Sequence, residues 1–243
     1  MRDMKKALFL AGSMLLASSS LSAATLDDQQ QQQVKDLVRE TLIKNPEILI
    51  EAMTEYRKRE AMAQQHAESK TLEDRNALLF NDPDSPFIGN PDAKLTITLF
   101  SDYNCGYCKR QDPVLQQLVK ENPDVKVVIK ELPILGPESL EAANYAMAVF
   151  QQDKKKYIAV NNRLISKPGR HSSSSIKAAL KAEGVDVDNL KIDDKVQKKI
   201  QENIQLAQEL GIRGTPALVF SDQVLKGYTQ MPALKEMIAK RLK

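Results

Sequence analysis

Cys105 and Cys108 are the only two cysteines of the chain, and Gly106 and Tyr107 separate them. This Cys-x-x-Cys spacing allows both sulfur atoms to lie in the first turn of a helix, close enough to form a disulfide with each other. The apolar, β-branched segment at residues 95–100 predicts a buried strand directly before them. We therefore expect Cys105 at a helix N-terminus, where unpaired backbone N–H groups and the helix dipole favour a thiolate. The motif predicts thiol–disulfide exchange.

In the predicted exchange Cys105 is the attacking thiolate, which forms a mixed disulfide with the substrate. Cys108 lies farther into the helix, where it is more buried, and either resolves that intermediate or stays in reserve. A redox-active disulfide between the two residues supplies all the redox chemistry, so we expect no bound cofactor.

Other uses of the cysteine pair are less favoured. A structural disulfide that closes so short a loop constrains the unfolded chain very little. A closed zinc site needs four ligands, and the two histidines of the chain, His66 and His171, are distant in sequence. Cu(I) prefers soft sulfur ligands, so a copper site formed by Cys105 and Cys108 stays open as an alternative.

Residues 1–24 have the pattern of an export signal. Arg2, Lys5 and Lys6 form a basic start, an apolar run follows at residues 7–17, and small residues precede a cleavage position near Ala24. The apolar run is too short to span a bilayer, although an uncleaved anchor is the alternative. We expect the mature protein in the periplasm, an oxidising compartment where disulfide chemistry has substrates.

The charge of the chain is nearly balanced. Its formal net charge is +3, and removing residues 1–24, with three basic residues and one acidic residue, leaves +1. We therefore expect no binding to nucleic acid. The remaining length suits one substantial domain and an accessory segment.

Residues 25–80 form that accessory segment, which is rich in Gln, Glu, Lys and Ala and contains no glycine. A stripe of mostly apolar residues recurs at helical spacing along two predicted helices that meet at Asn45-Pro46: Val34, Leu37, Val38, Thr41, Leu42, Ile48, Leu49, Ala52, Met53 and Tyr56. Neither helix is stable alone, so the stripe must pack on the second domain or on copies of itself. We favour self-association of residues 25–56 as a homodimer or homotrimer. The polar residues 57–76 predict a solvated helix or a flexible hinge.

The second predicted domain covers residues 81–243. Its elements are predicted in this order: a strand at 95–100, a helix to about 121, a strand at 125–131, a helical tract at about 138–210 broken near 167–169, a hairpin at 217–226 and a closing helix from about 231. This order predicts an α/β sandwich with a helical insertion.

Three segments and one proline carry a resemblance to a known family: residues 100–109, 130–137 and 211–216, and Pro113. In these the chain resembles the DsbA-like exported thiol–disulfide oxidoreductases, which have a thioredoxin fold with a helical insertion. Together with residues 25–80 it is similar to the oligomeric ScsC-type (suppressor of copper sensitivity) proteins. The Gly-Tyr dipeptide between the cysteines also matches the DsbC-type isomerases, which lack this insertion pattern.

The resemblance implies a second active-site loop. It implies that the Thr215–Pro216 peptide bond is cis and lies beside the cysteines, next to the loop that contains Gly106 and Tyr107. The Thr215 backbone is then presented to a substrate peptide, which binds as an extended strand by β-augmentation. Such contacts involve the substrate backbone and not its side chains, so we expect the protein to accept substrates of many different sequences.

Proton transfer is the one point where the chain departs from the family. Leu99 stands where DsbA has a buried glutamate that assists proton transfer to the second cysteine. Asp102 or Glu131 would have to replace it, although each could equally be a capping or solvated residue.

These expectations combine into an exported disulfide isomerase or reductase that acts on unfolded or misfolded exported proteins. The resemblance implies a membrane thiol reductase (DsbD- or ScsB-like) as partner, whereas a DsbB-like oxidase would make the same cysteine pair a dithiol oxidase. Two alternatives of other classes stay open: a Cu(I)-binding copper-tolerance module, and a surface protein whose stalk is the working part.

Overall fold

The computed structural model of the chain describes residues 26–242, so the predicted export signal lies outside the described residues. The elements follow in the order α1 (Asp28–Lys44), α2 (Glu47–Asp74), α3 (Asn76–Phe80), β1 (Phe87–Gly89), β2 (Leu95–Ser101), α4 (Gly106–Glu121), β3 (Val125–Glu131), α5 (Pro137–Gln152), α6 (Lys154–Ser166), α7 (Ser173–Ala182), α8 (Asp194–Glu209), β4 (Ala217–Phe220), β5 (Gln223–Lys226) and α9 (Met231–Arg241). Within this range none of the helices has the length and apolar character that crossing a membrane requires.

The five strands form one mixed sheet in the order β1-β3-β2-β4-β5. The central strand β2 pairs parallel with β3 and antiparallel with β4. Apolar cores cover both faces of this central strand, which explains why six of its seven residues are buried. The strands and helices predicted for the second domain are confirmed. The helical insertion is α5–α8, and its predicted break lies between α6 and α7.

The alternation of side chains along β2 separates two apolar cores. Ile97 and Leu99 belong to the core that contains α4 and much of the insertion. Phe100 belongs to the core on the other face, and Thr98, which points the same way, donates a 2.6 Å hydrogen bond to the Leu79 carbonyl of α3. Because alternate side chains of β2 pack on opposite faces, the end of the strand is held from both sides. The active-site turn is the next segment of the chain.

The described residues divide into two compact units, with the boundary between Arg59 and Glu60. In the described part of the first unit, the apolar stripe on α1 and the start of α2 is uncovered: Leu37 is 64% exposed and Met53 51%. Self-association through this stripe stays a prediction. Because α2 continues to Asp74, residues 57–74 are helical, as one of the two sequence-based alternatives predicts.

The second unit begins at Glu60, before the boundary expected near residue 80. Its early start has a physical reason: Leu72, Leu79 and Phe80 are buried in the core on the Phe100 face of the sheet. Strand β1 was not predicted, because its three residues lie among Pro- and Gly-containing turn signals and their extended structure depends on pairing with β3.

Candidate active site

Cys105 is the N-cap residue of α4, directly after the turn that follows β2. Its backbone is extended, with φ −82° and ψ 116°, and its sulfur accepts a hydrogen bond from the backbone N–H of Cys108 at 3.4 Å. Both cysteines are free thiols. The sulfur therefore occupies the capping position where a free N–H group and the helix dipole favour a negative charge, as the sequence predicts.

The two thiols differ strongly in acidity. Hydrogen bonding to the Cys108 side chain, and further hydrogen bonds from Thr215 and from backbone N–H groups, lower the pKa of Cys105 from 9.0 to about 5, although burial opposes the shift. Burial, followed by the hydrogen bond to Cys105, raises the pKa of Cys108 far above its ordinary value. At neutral pH the first sulfur is a thiolate and the second a thiol.

The two residues between the cysteines are exposed, although Cys105 itself is only 7% exposed. Gly106 and Tyr107 are exposed, whereas Cys108 is only 2% exposed. A side chain at Gly106 would meet nothing within 4 Å. The Tyr107 ring lies under the guanidinium of Arg110, 4.8 Å from it, and is itself 56% exposed.

The Thr215–Pro216 peptide bond is cis and lies beside the nucleophile, as the family resemblance implies. The Cys105 thiol donates to the Thr215 carbonyl at 3.2 Å. The Thr215 hydroxyl has no other hydrogen-bond partner among the described residues, so its proton can turn toward the sulfur. Pro216 leads directly into β4, and the loop is therefore anchored by the sheet.

Asp102 lies at the end of β2, where it is 1% exposed and accepts four hydrogen bonds. One carboxylate oxygen accepts from the backbone N–H of Asn104 at 2.7 Å and from the Ser139 hydroxyl at 2.8 Å. The other accepts from the backbone N–H groups of Ile134 and Leu135 at 2.9 and 3.0 Å. Asp102 thus ties the nucleophile turn to the loop after β3 and to the start of α5.

The loop held by Asp102 presents apolar side chains to solvent beside the active-site turn. Ile134 is 42% exposed and Leu135 36%. The backbone carbonyl of Asp102 also accepts a hydrogen bond from the backbone N–H of Cys105 at 3.0 Å. Asp102 therefore holds both this apolar loop and the nucleophile. The arrangement offers a fixed apolar surface next to the reactive sulfur.

Glu131, the last residue of β3, is fully buried and accepts a 2.7 Å hydrogen bond from the Tyr103 hydroxyl and a longer one, 3.3 Å, from the Tyr157 hydroxyl. Burial raises the pKa of Glu131 from 4.5 to about 8 in spite of these hydrogen bonds. The carboxyl group is therefore protonated over much of the range in which an ordinary glutamate is charged. It can exchange a proton near neutral pH, which an acid in proton transfer must do.

The structure adds Asn104 and His171, which sequence reasoning missed. The Asn104 side chain accepts from the backbone N–H of His171 at 2.6 Å and donates to Ser139 at 3.2 Å. The His171 ring is buried, with Nε2 2.8 Å from the Leu164 carbonyl. These contacts join the insertion to the residue before Cys105 across 67 positions of sequence, and no local pattern signals them.

The described residues contain no group of three or more His, Cys, Asp or Glu side chains arranged to hold a metal ion. Any metal at this site would rest on the two thiolates alone. Two sulfur ligands fit Cu(I) and do not complete a zinc site.

Comparison with known families and structures agrees with this geometry. The model of the DSBA-like thioredoxin domain matches residues 96–239, and the model of the copper resistance protein ScsC N-terminal domain matches residues 30–63. The second match lies over the uncovered stripe of α1 and the start of α2.

Two solved structures are similar over most of their length. A linker-deletion variant of ScsC from Proteus mirabilis is 38% identical, with a TM-score of 0.71, and the match covers 91% of this chain and 99% of that one. A periplasmic thioredoxin-like protein from Salmonella enterica serovar Typhimurium is 38% identical, with a TM-score of 0.65, over 69% of this chain and 95% of that one. Among curated proteins, disulfide bond formation protein D of Bacillus subtilis is 26% identical over 65% of this chain and 77% of its own length.

Proposed function

The chain belongs to the family of DSBA-like thioredoxin domains, which are thiol–disulfide oxidoreductases, and we propose that it is a periplasmic disulfide isomerase and reductase whose nucleophile is Cys105. The observation that carries the proposal is the asymmetry of the two thiols, an acidic sulfur at a helix N-terminus and a buried, weakly acidic one behind it. Disulfide exchange needs both: a thiolate that attacks and a thiol that stays in reserve.

In the first step the Cys105 thiolate attacks one sulfur of a substrate disulfide. A bond forms between that sulfur and Cys105, the substrate disulfide breaks, and the second substrate sulfur leaves as a thiolate that takes up a proton. No net electrons are transferred to solvent or cofactor, because one disulfide is exchanged for another.

Two outcomes follow from the mixed disulfide. In isomerisation the freed substrate thiolate attacks another substrate disulfide, and a final attack releases Cys105 as a thiolate. In reduction Cys108 loses its proton and attacks the Cys105 sulfur, which releases the substrate dithiol and leaves the Cys105–Cys108 disulfide. An external dithiol donor must then return two electrons, and a membrane thiol reductase is the class of partner that fits this need.

Substrate binding is proposed at the Thr215 backbone. When Cys105 is protonated, its S–H donates to the Thr215 carbonyl. Ionisation of the thiol removes that donor and leaves the carbonyl able to accept from a backbone N–H of an extended substrate. The thiolate that attacks and the acceptor that positions the substrate therefore become available together.

The low pKa of Cys105 bears on the direction of the reaction. Stabilising the thiolate favours the dithiol over the disulfide, so the pair is easily kept reduced. A donor that keeps the pair reduced makes the protein an isomerase, and an oxidase that keeps it bridged makes it a dithiol oxidase. We favour isomerisation because the exposed stripe on α1 and α2 offers a surface for joining several catalytic units, which would enclose a misfolded substrate and exclude an oxidase.

Glu131 is the residue we propose for proton transfer to and from Cys108. Its raised pKa, about 8, gives it the required protonation range. The oxygens of Asp102, in contrast, are all engaged with donors of the surrounding loops.

A second candidate function is Cu(I) handling by the same thiolates. The match of residues 30–63 to the copper resistance protein ScsC N-terminal domain favours it, together with the soft donor set. One reduced sample distinguishes the candidates when Cu(I) binding and insulin reduction are measured side by side. Tight Cu(I) binding without reductase activity would replace the enzymatic proposal.

The main test is refolding of scrambled ribonuclease by the mature chain in a glutathione buffer. We expect turnover with the wild-type protein and none with Cys105→Ser, while Cys108→Ser should accumulate a mixed disulfide with the substrate. Retained turnover in Cys105→Ser would overturn the assignment of the nucleophile.

A further inference from the structure

Four basic side chains lie near the turn that carries Cys105, and we call them the cationic rim: Lys109, Arg110, Lys167 and Arg170. Lys109 and Arg110 belong to the first two turns of α4, and the other two lie in the loop between α6 and α7. Arg110 and Arg170 are exposed, whereas Lys109 and Lys167 are half-buried.

The polar partners of the rim are neutral. The Lys109 ammonium donates to the Lys167 carbonyl, and the Lys167 ammonium donates to the carbonyls of Pro168 and Arg170 at 3.1 and 2.7 Å. The Arg170 guanidinium donates to the Leu135 carbonyl. Carbonyl oxygens satisfy hydrogen-bond donors and hold the side chains in place, but they do not cancel a full positive charge.

The rim has acidic neighbours but forms no ion pair with them. None of the ion pairs between described residues includes one of its four cations. Glu138 and Arg170 both approach Gly136 without forming an ion pair. Asp102 interacts electrostatically with Lys109, but its carboxylate oxygens accept their hydrogen bonds from other donors. Asp112, farther along α4, is hydrogen-bonded to Gln116. A fixed positive field therefore remains beside the nucleophile.

The rim is coupled to the active site at two points. Lys109 interacts electrostatically with the sulfurs of both Cys105 and Cys108. The loop that carries Lys167 and Arg170 ends at His171, whose backbone N–H binds the side chain of Asn104 at 2.6 Å, directly before the nucleophile. A polypeptide bound at Cys105 would therefore lie near Lys109 and near the loop that carries Lys167 and Arg170.

We propose that the cationic rim is a substrate-recognition surface that selects polypeptides with Asp or Glu next to the cysteine or disulfide under attack. The proposal rests on the function proposed above and adds a side-chain preference to backbone recognition at Thr215. Fixed, unneutralised cations raise the local concentration of anionic segments, and the effect weakens as salt screens it.

Three matched peptides test the proposal, each with one cysteine joined by a disulfide to 2-thiopyridine and flanked by Glu, Gln or Lys. Attack by Cys105 forms the mixed disulfide and releases 2-thiopyridone, whose absorbance gives the second-order rate constant. We expect the reduced full-length protein to react about tenfold faster with the Glu peptide than with the Gln peptide at low ionic strength, and the ratio to approach one at high ionic strength.

Variants separate charge from structure. Lys167→Gln combined with Arg170→Gln should bring the Glu-to-Gln ratio toward one, whereas Arg170→Lys, which keeps the charge, should preserve most of it. The matched control is Lys120→Gln with Lys198→Gln, which removes the same charge from α8 and the far end of α4. A change in thiolate reactivity alone would alter the rates for all three peptides by the same factor and leave the ratio at its wild-type value.

The outcomes are distinct. A wild-type ratio near one, with fast reaction of the Gln peptide, would overturn the recognition proposal and leave the proposed function intact. A ratio that the control variant lowers as much as the rim variant would also overturn it, since net charge would then be the cause. Reaction of all peptides no faster than with free cysteine would overturn the proposed function itself.

Discussion

The backbone N–H of His171 donates a 2.6 Å hydrogen bond to the side chain of Asn104, the residue immediately before the nucleophile. This contact joins the helical insertion to the thioredoxin core at the reactive turn. Asn104 is buried, and its amide group also donates to Ser139 at the start of α5. The insertion therefore supports the geometry of the active-site turn from α5 and from the loop between α6 and α7.

Asn104→Ala is expected to lower the free energy of unfolding by about 1–3 kcal/mol, because it leaves the buried N–H of His171 without an acceptor. Urea unfolding of the oxidised protein measures the change. The control is Asn162→Ala, an exposed Asn on α6, for which we expect an effect within about 0.5 kcal/mol. Equal unfolding midpoints for the Asn104 variant and the wild type would contradict the supporting role of this contact.

The Cys105 thiolate should titrate with a midpoint near pH 5, since its hydrogen bonds lower the pKa to about that value. The thiolate absorbance of the reduced protein, and the pH dependence of its alkylation, both measure this. Cys108→Ala removes the first of these hydrogen bonds and should raise the midpoint, and Cys105→Ser should abolish the transition. A midpoint near the ordinary value of 9.0 in the wild type would show that the helix N-terminus does not activate the sulfur.

Glu131→Gln should flatten the pH dependence of stability. Because burial raises the pKa of Glu131 from 4.5 to about 8, the folded state holds a proton that the unfolded state releases between these values. Its contribution is fully present below pH 4.5 and is lost as the pH rises toward 8, by an amount on the order of a few kcal/mol.

The disulfide form is the right sample for this measurement, because its cysteines do not titrate. In the dithiol form Cys105 has the opposite effect: its lowered pKa makes stability rise with pH between about 5 and 9.0. If stability depends on pH identically in the oxidised wild type and in oxidised Glu131→Gln, the pKa of Glu131 is not raised. That result would contradict its proposed part in proton transfer.

Asp102→Asn distinguishes a positioning residue from a proton carrier. An amide offers one acceptor oxygen where the carboxylate offers two, so at least one pair of donors loses its partner and stability should fall by about 1–3 kcal/mol. The apolar loop at Ile134 and Leu135 loosens with it, and we expect a larger KM for peptide substrates. Asp112→Asn, at a partly buried acid of α4, is the matched control. A variant of normal stability in which only the pH profile of mixed-disulfide resolution changes would instead identify Asp102 as a proton carrier.

Local sequence patterns were sufficient for most of the fold because its strands are continuous apolar runs with clear turn signals. The placement of Cys105 at the N-cap followed from the same patterns, since a strand, a polar turn and a helix succeed one another there. The contacts that depend on tertiary structure were not predictable: the pairing of β1 with β3, the burial of Leu72, and the contact between Asn104 and His171. Each depends on residues that are far apart in sequence, and no local sequence pattern identifies which residues will meet.

Deletion of residues 26–59 should separate isomerisation from reduction. The second unit begins at Glu60 and keeps Leu72 in its core, so the truncated chain is expected to retain the pKa of Cys105 and the rate of insulin reduction. Isomerisation of scrambled ribonuclease should fall, because the exposed stripe that we expect to join catalytic units is gone.

Point variants provide the matched comparison in the full-length mature chain. Val34→Asn with Leu37→Asn changes the exposed apolar stripe of α1, whereas Lys35→Asn with Asp36→Asn changes polar positions between them. Light scattering should show a smaller assembly for the first pair and no change for the second. If the truncated chain isomerised scrambled ribonuclease as fast as the full-length chain, the uncovered stripe would have no part in isomerisation, and the preference for an isomerase over an oxidase would lose its support.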